Sequence, residues 1–551
     1  MKEKYNSLLL KLKSPLTIKI VVVIFSIITS FLYFGPTLNS QFDIIDDHYY
    51  VSSNITSEDA TLWENFVTAP EITSFGNYPR FRIIYYLINN AELKIFGLNS
   101  VYFYLVNIFV FAFFLFSIFS VVYKYLGGHW ATIFTLFVAS QKYFAYIFTR
   151  LGTAEVWTIL GLSMYSLAFS SLYDKSKLDS GGSNWKDLLL MFAGAIIMIG
   201  SKENFTIVGA FVFLLIFILK KRRKLTLPFI ISSILILLFN AYQIVHISLT
   251  HAARGVDFNM NDVGFLDRLS RLISGAFSGS AQNLSLFIAV CLCSIFIFAY
   301  FFFQKNKLSL SSAVMNKMIL RPLVAGGMIV FVYIFNLYVY SGVLNPLNRY
   351  AFPLILFIQI LALFYVVWII DLHKYLKIRI NINIKEFFYY SVLGFLLVLS
   401  INAVAYSRQM SFESLERTTS FQNDLRKIAE EVKVYSEYPI VFSTYVPSDH
   451  EPLRSVLRYL RYYGVSNTIM IKGHHDLSED APFVVKEVSR IIMHLEKNGG
   501  DEGYYNGGKE SFSAYSLQSK AGCYNVDFSG ITKDEKCTHV GKIWQNGEYK
   551  Y

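Results

Sequence analysis

A helix that crosses the hydrocarbon core of a bilayer needs about 20 consecutive, predominantly apolar residues. This 551-residue chain offers about eleven such stretches, at roughly 16–35, 101–123, 130–148, 153–173, 187–200, 204–219, 226–248, 283–303, 322–341, 351–370 and 387–407. The fifth and sixth are short, as suits helices that are broken or covered by neighbours. Composition agrees: 54% of residues are hydrophobic and only 16% are charged, where a soluble chain carries about 25%. Disordered, collagen-like and disulfide-scaffold classes are excluded. The pattern predicts a polytopic α-helical membrane protein of about 11 transmembrane helices, with a C-terminal soluble α/β domain. The first stretch is too long for a cleaved signal peptide and lacks a small-residue cleavage site, so it reads as a retained anchor.

The basic residues set the orientation. The net charge is +11, which in a membrane protein reflects cytoplasmic Lys and Arg rather than nucleic-acid binding. Lys2, Lys4, Lys11 and Lys13 precede the first span, and every second connection is again basic, most of all the KKRRK run at Lys220–Lys224. The N-terminus is therefore expected in the cytoplasm. The transmembrane part covers 1–407, and 408–551 forms the extracytoplasmic domain. Cys523 and Cys537 lie in that tail with 13 residues between them. An oxidising compartment would join them as a disulfide, the alternative being two free thiols. No paired CxxC spacing accompanies them, so zinc is not indicated.

The first external segment, 36–100, holds an acidic cluster, a Pro/Arg patch and an amphipathic stretch, Arg82–Phe96, expected to lie along the membrane surface. In the tail, Phe412–Tyr435 reads as a helix. Ile440–Tyr445, Asp449–Tyr463 and Asn467–Ile471 read as a βαβ-like unit. A helix over Pro482–Lys497, a Gly-rich turn and short strands complete it.

The sharpest chemical feature is FDIIDDHYY, Phe42–Tyr50, directly after the first span. Asp46 and Asp47 are adjacent carboxylates at the membrane edge. Low-dielectric surroundings raise a carboxylate's pKa, which suits a general base. The same pair offers oxygen ligands to a divalent cation, magnesium or manganese, and is equally compatible with a solvated acidic loop. His48 reads as a polar loop residue or a further ligand. Arg80, Arg82, Arg150, Lys202, Arg349, Glu155 and Glu203 all fall at the same ends of spans as this loop or in external loops. Ionisable groups there are costly unless paired or functional. The bland alternatives are Arg80 and Arg82 snorkelling to headgroups, Lys202 pairing with Glu203, Arg150 pairing with Glu155, and Arg349 capping a helix.

An acidic pair after the first span, followed by Tyr50, resembles the GT-C integral-membrane glycosyltransferases, the protein O-mannosyltransferase and lipid A aminoarabinose transferase group. GNYPRFRIIYYL at Gly76–Leu87, IFGLNSVYFYLVN at Ile95–Asn107, GSKENF at Gly200–Phe205 and LNRYAFPL at Leu347–Leu354 resemble that family's later elements. The resemblance covers roughly 1–405 and implies transfer of a sugar from a polyprenyl-phosphate carrier. It implies Asp46 as base, with Asp47 supporting it or sharing a cation. It also implies Lys202, Arg349, Arg80 and Arg82 on the donor phosphate, with Glu203, Arg150, Glu155 and Tyr50 in support. The acceptor would be a glycan, lipid or protein outside a bacterial inner membrane, such as a lipopolysaccharide sugar, with the tail in the periplasm. Attack opposite the leaving phosphate implies inversion. The sequence has no GxGxxG or P-loop signature, which disfavours a nucleotide-sugar donor. The competing readings are a transporter or flippase of lipid-linked saccharides, which would bury charge at mid-membrane, and a polymerase or ligase of such saccharides.

Overall fold

In a computed structural model, the residues described are 15–44, 47, 50–51, 61–73, 81–175, 185–203, 205, 208–221, 225–250, 382–436, 440–444, 450–467, 469–473, 522–527, 530–533, 543–545 and 548–550. The spans expected at 283–303, 322–341 and 351–370 lie outside them.

The chain begins with α1 (Pro15–Phe34), which ends where Gly35 and Pro36 convert it to a short 3-10 turn, Gly35–Asn39. Proline has no N–H to continue an α-helix. Two short helices, α2 (Leu62–Val67) and α3 (Pro70–Thr73), precede α4 (Ile83–Phe96). α2 starts with a reciprocal capping box between Thr61 and Glu64. α4 occupies the amphipathic stretch read from the sequence. Then follow α5 (Ser100–Leu126), α6 (Gly128–Ala139), α7 (Tyr143–Phe148), α8 (Ala154–Lys175), α9 (Trp185–Ser201), α10 (Val208–Lys221) and α11 (Leu227–Thr250). Among the described residues, five helical stretches are long and apolar enough to cross a membrane: Thr17–Asn39, Ser100–Leu126, Ala154–Tyr173, Leu227–Ile247 and Leu393–Lys433. α9 and α10 are short, as their apolar runs foretold.

The last of the five belongs to α12 (Ile382–Lys433), a single helix of 52 residues. At 1.5 Å per residue it is about 78 Å long, well over twice the hydrocarbon thickness. It carries the apolar run near 387–407 and the polar helix expected from Phe412 in one rod. No Pro, and only Gly394, interrupts it, so nothing in the sequence obliges the chain to break at 407/408. After it come β1 (Ile440–Thr444), α13 (His450–Tyr462), β2 (Ile469–Gly473), β3 (Cys523–Asp527), β4 (Gly530–Lys533), β5 (Ile543–Gln545) and β6 (Glu548–Lys550). β1 and β2 pair in parallel across α13, the expected βαβ unit. The sheet order is β2-β1-β3-β4, with β3 parallel to β1 and β4 antiparallel to β3. Cys523 opens β3. Cys537, the helix expected over Pro482–Lys497 and the Gly-rich turn lie outside the described residues.

Aromatic rings fill the bundle near the end of α1. Phe34 meets Phe111 and Phe148 at centroid distances of 5.2 and 5.3 Å, and Phe111 meets Phe144 at 5.1 Å. α8 and α9 pack closer still. A Cβ on Gly161 would stand 2.6 Å from the Gly194 carbonyl oxygen, and one on Gly194 2.7 Å from that of Gly161. Small residues that let backbones touch are the usual means of joining helices in lipid. Gly194→Ala should therefore destabilise the protein by about 1–3 kcal/mol through overpacking. Gly394→Ala, where a Cβ meets nothing within 4 Å, should be neutral or gain up to about 1 kcal/mol in helix propensity. Unfolding of the two variants in mixed micelles checks this, and equal stabilities would refute the contact.

Candidate active site

The site is built where several helix ends meet at one end of the bundle. α1 gives way to the 3-10 turn and then to an extended segment, 40–44, that runs alongside α12. Ser100 at the start of α5 donates to the Ser40 carbonyl at 2.7 Å. The connection between α7 and α8, residues 149–153, sits beneath this segment and is gripped from all sides. The carbonyl of Thr149 accepts from Ser414, that of Arg150 from Asn107, that of Leu151 from Tyr50, and that of Gly152 from Tyr85, at 2.9, 3.2, 3.4 and 2.8 Å. Four consecutive peptide oxygens are thus fixed by side chains from four separate parts of the chain. Buried backbone groups need such partners when no helix or sheet supplies them.

Asp47 joins the two segments. It is fully buried. One carboxylate oxygen accepts from the Asp43 amide at 2.8 Å and the other from the Gly152 amide at 2.9 Å. The side chain therefore pins the first loop to the α7–α8 connection. A cation at Asp47 would have to share oxygens that already serve two amides. Asp43, which the sequence reading passed over, is also buried, and Arg417 of α12 holds it in a two-point ion pair. Asp46, Arg80, His48 and Arg349 lie outside the described residues. No three His, Cys, Asp or Glu side chains converge as a metal site among the described residues.

Next to this junction are two cation–carboxylate pairs. Lys202, just past the end of α9, pairs with Glu155 in the first turn of α8, and both are buried. Negative charge is favourable at that helix start. Glu203 accepts from the Phe81 amide at 3.2 Å and lies 3.5 Å from the Arg82 guanidinium. Neither sequence-neighbour pairing holds: Lys202 turns from Glu203 to Glu155, and Glu155 pairs with Lys202 rather than Arg150. The reason is geometric. Lys202 and Glu203 leave a helix end in different directions, so each meets a different element. Arg150 is half buried and makes no ion pair among the described residues.

Tyr50 is buried as well. Burial pushes its phenol well above the usual value, and the charges of Glu92, Tyr85 and Asp47 add to the rise. Tyr459 of α13 donates to the Asp43 carbonyl at 3.0 Å, and its phenol is raised first by burial and then by Asp47 and Asp43. Glu92, on the inner side of α4, is 7% exposed, and burial pushes its carboxyl up to about 8. Sequence reading missed it because one Glu in an amphipathic helix usually faces water.

No family model and no curated protein matches the chain. Solved structures similar to it include ArnT from Cupriavidus metallidurans bound to undecaprenyl phosphate, at 12% identity and a TM-score of 0.41, covering 88% of this chain and 92% of that one. The apo state of the same protein aligns at 14% identity and a TM-score of 0.37 over the same shares. An oligosaccharyltransferase from Archaeoglobus fulgidus in complex with zinc and sulfate aligns at 13% identity and 0.36, covering 81% of this chain and 62% of that one.

Two outcomes follow from the geometry. Asp47→Asn replaces one acceptor by an NH₂ that faces a buried amide donor, and should cost about 1–3 kcal/mol. Hydrogen exchange of Asp43 and Gly152 should rise in that variant, and unchanged protection would refute the double contact. Glu92 gives a pH dependence. Its carboxyl is raised in the folded state to about 8, so the folded state holds a proton that the unfolded state releases at about 4.3. The sign follows: relative stability is full below the lower value, falls as pH rises between the two, and levels off above about 8. Glu92→Gln should flatten that fall in thermal unfolding followed from pH 5 to about 9.

Proposed function

We propose that the protein is a membrane glycosyltransferase that moves a sugar from a polyprenyl-phosphate carrier to an acceptor hydroxyl at the outer face of a bacterial inner membrane. The observation that carries this reading is the acidic stretch after α1. Its Asp47 is buried and pinned to the α7–α8 connection, beside the ion pairs Lys202–Glu155 and Arg82–Glu203. A site for this reaction needs a carboxylate held at the membrane edge and positive charge for a phosphate leaving group.

Asp46 acts as the base. It takes the proton of the acceptor hydroxyl as the acceptor oxygen forms its bond to the anomeric carbon. The bond from that carbon to the phosphate oxygen breaks with its electron pair, and polyprenyl phosphate departs with inversion. Asp47 serves by fixing the loop: its oxygens are taken up by two amides, which leaves proton transfer to its neighbour. Lys202 and Arg82 already face Glu155 and Glu203. Their charge reaches a phosphate only if those pairs exchange partners. Of the described cations assigned here, Arg150 alone has no carboxylate partner among the described residues, and we assign it a direct share of the donor phosphate with Arg80 and Arg349. The tail, held against the first loop by α12 and α13, selects the acceptor, with a cell-surface glycan or lipid such as a lipopolysaccharide sugar as the class we favour.

The test uses the full-length protein in liposomes with a panel of radiolabelled polyprenyl-phosphoryl sugars and sugar-alcohol acceptors, reading labelled product and freed polyprenyl phosphate. Asp46→Asn should lower turnover by about 10²–10⁴-fold while hydrogen exchange of the 149–153 connection stays as in the wild type. Turnover retained in that variant removes the base assignment. No release from any donor by the wild type removes the reaction class.

A further inference from the structure

We infer that Arg417, on the part of α12 beyond the apolar run, is a positioning residue for the acidic loop: it acts through Asp43 on Asp47, and so on the Asp46 that precedes it. This rests on the glycosyl-transfer reading above.

The contacts form a short chain. The Arg417 guanidinium donates Nε to Asp43 Oδ1 at 3.1 Å and pairs through Nη2 with Oδ2. Asp43 Oδ1 also accepts from the Ile44 amide at 2.8 Å, so the carboxylate and its own backbone are locked together. The Asp43 amide is in turn one of the two donors to Asp47. A planar fork on a carboxylate fixes orientation as well as distance. The Asp43 carboxylate is nearly inaccessible at 2%, whereas the Arg417 side chain is 31% exposed. The arginine therefore approaches from the tail side while its partner is sealed in the site.

The neighbouring contacts repeat the grip on the same few residues. Gln422, one turn further along α12, donates to the Phe42 carbonyl at 2.8 Å, and Thr418 accepts from the Gln41 amide at 3.0 Å. Tyr459 of α13 takes the Asp43 carbonyl. The Gln41 amide and the carbonyls of Phe42 and Asp43 are thus held from the tail, while Ser100 of α5 holds the Ser40 carbonyl. One apolar cluster binds the same parts: Phe42, Tyr50 and Leu151 pack with Phe421, Leu425 and Tyr459. Arg426 reaches the Gln41 side chain at 2.9 Å, but it is Arg417 that meets a carboxylate here, and the charges of both Asp43 and Asp47 bear on it. Without it, a buried carboxylate would stand unpaired beside a second one, an arrangement that relaxes by moving the loop toward water. The tail then has a role beyond acceptor choice: it fixes the geometry of the acids.

The experiment compares wild type, Arg417→Gln and Arg417→Lys as full-length protein in liposomes, with two independent readouts. The first is hydrogen exchange. In Arg417→Gln, segments 41–47 and 149–153 should exchange at least about tenfold faster, while β1 and β2 keep their protection. The second is kinetics with whichever polyprenyl-phosphoryl sugar the wild type turns over. There kcat should fall about tenfold or more with KM for the donor within about twofold, the split expected when reacting groups are misplaced but binding is kept. Arg417→Lys, which keeps the charge, should recover part of both. Unchanged exchange in 41–47 overturns the inference, and so does faster exchange with kcat intact. Loss of protection spread evenly over the tail sheet overturns it too, since that marks a merely structural residue. A wild type without transferase activity would sink the reaction assignment alone, and the exchange readout would still decide whether Arg417 holds the loop.

Discussion

A carboxylate taken out of water must find donors, and Asp47 finds two that belong to different parts of the chain. The amide of Asp43 lies in the loop after the first helix, and that of Gly152 in the connection between α7 and α8. An unpaired buried charge costs several kcal/mol, so these two segments cannot drift apart without exposing it. The remaining contacts are arranged around that fixed point. Tyr50, Tyr85, Asn107 and Ser414 each take one carbonyl of the same connection. The whole set keeps an irregular, buried stretch of backbone satisfied, where orphaned peptide groups are costly.

α12 supplies the second constraint. Its small polar side chains fall on one face and meet a different element at each step. Ser400 donates to Leu136, Ser411 to Tyr33 and Ser414 to Thr149, after which Thr418 and Gln422 take up the acidic loop. Each serine hydroxyl is short enough to let the helix lie close, and each gives a facing carbonyl a side-chain donor. Because the helix is unbroken, the side chains that pack on the bundle and those that hold the acidic loop sit on one rod. A helix that was flexible near 407/408 would have decoupled the two.

The apolar runs and the acidic stretch were legible because each is a local pattern. A run of Phe, Leu and Ile specifies a span whatever its neighbours are, and FDIIDDHYY stands out by its position after the first span. The βαβ unit was legible for the same reason, from short apolar runs at Ile440–Phe442 and Ile469–Ile471 flanking a helical stretch. Partnerships were not. Glu155 and Lys202 are 47 residues apart, and no spacing rule joins them, whereas the adjacency of Lys202 and Glu203 suggested a pair that the helix end forbids. Arg417 was hidden in a polar helix among other charged residues, and only tertiary packing distinguishes it from Arg408 or Arg426. The continuity of α12 was masked by the switch from apolar to polar composition, which does not mark the end of a helix.

The same region also holds two acids in contrasting environments. Glu92 accepts no hydrogen bond from the described residues and lies inside α4, so burial alone acts on it and drives it toward the neutral form near neutral pH. Asp47 has two amide donors and bears on Tyr50 and Tyr459 as a charge. One buried acid without a donor among the described residues and one with two thus stand in unlike surroundings within a single region. Were Glu92 charged as well, its charge would add to that of Asp47 beside Tyr50. A neutral Glu92 keeps that added charge off Tyr50, while the Arg417 guanidinium bears on both Asp43 and Asp47.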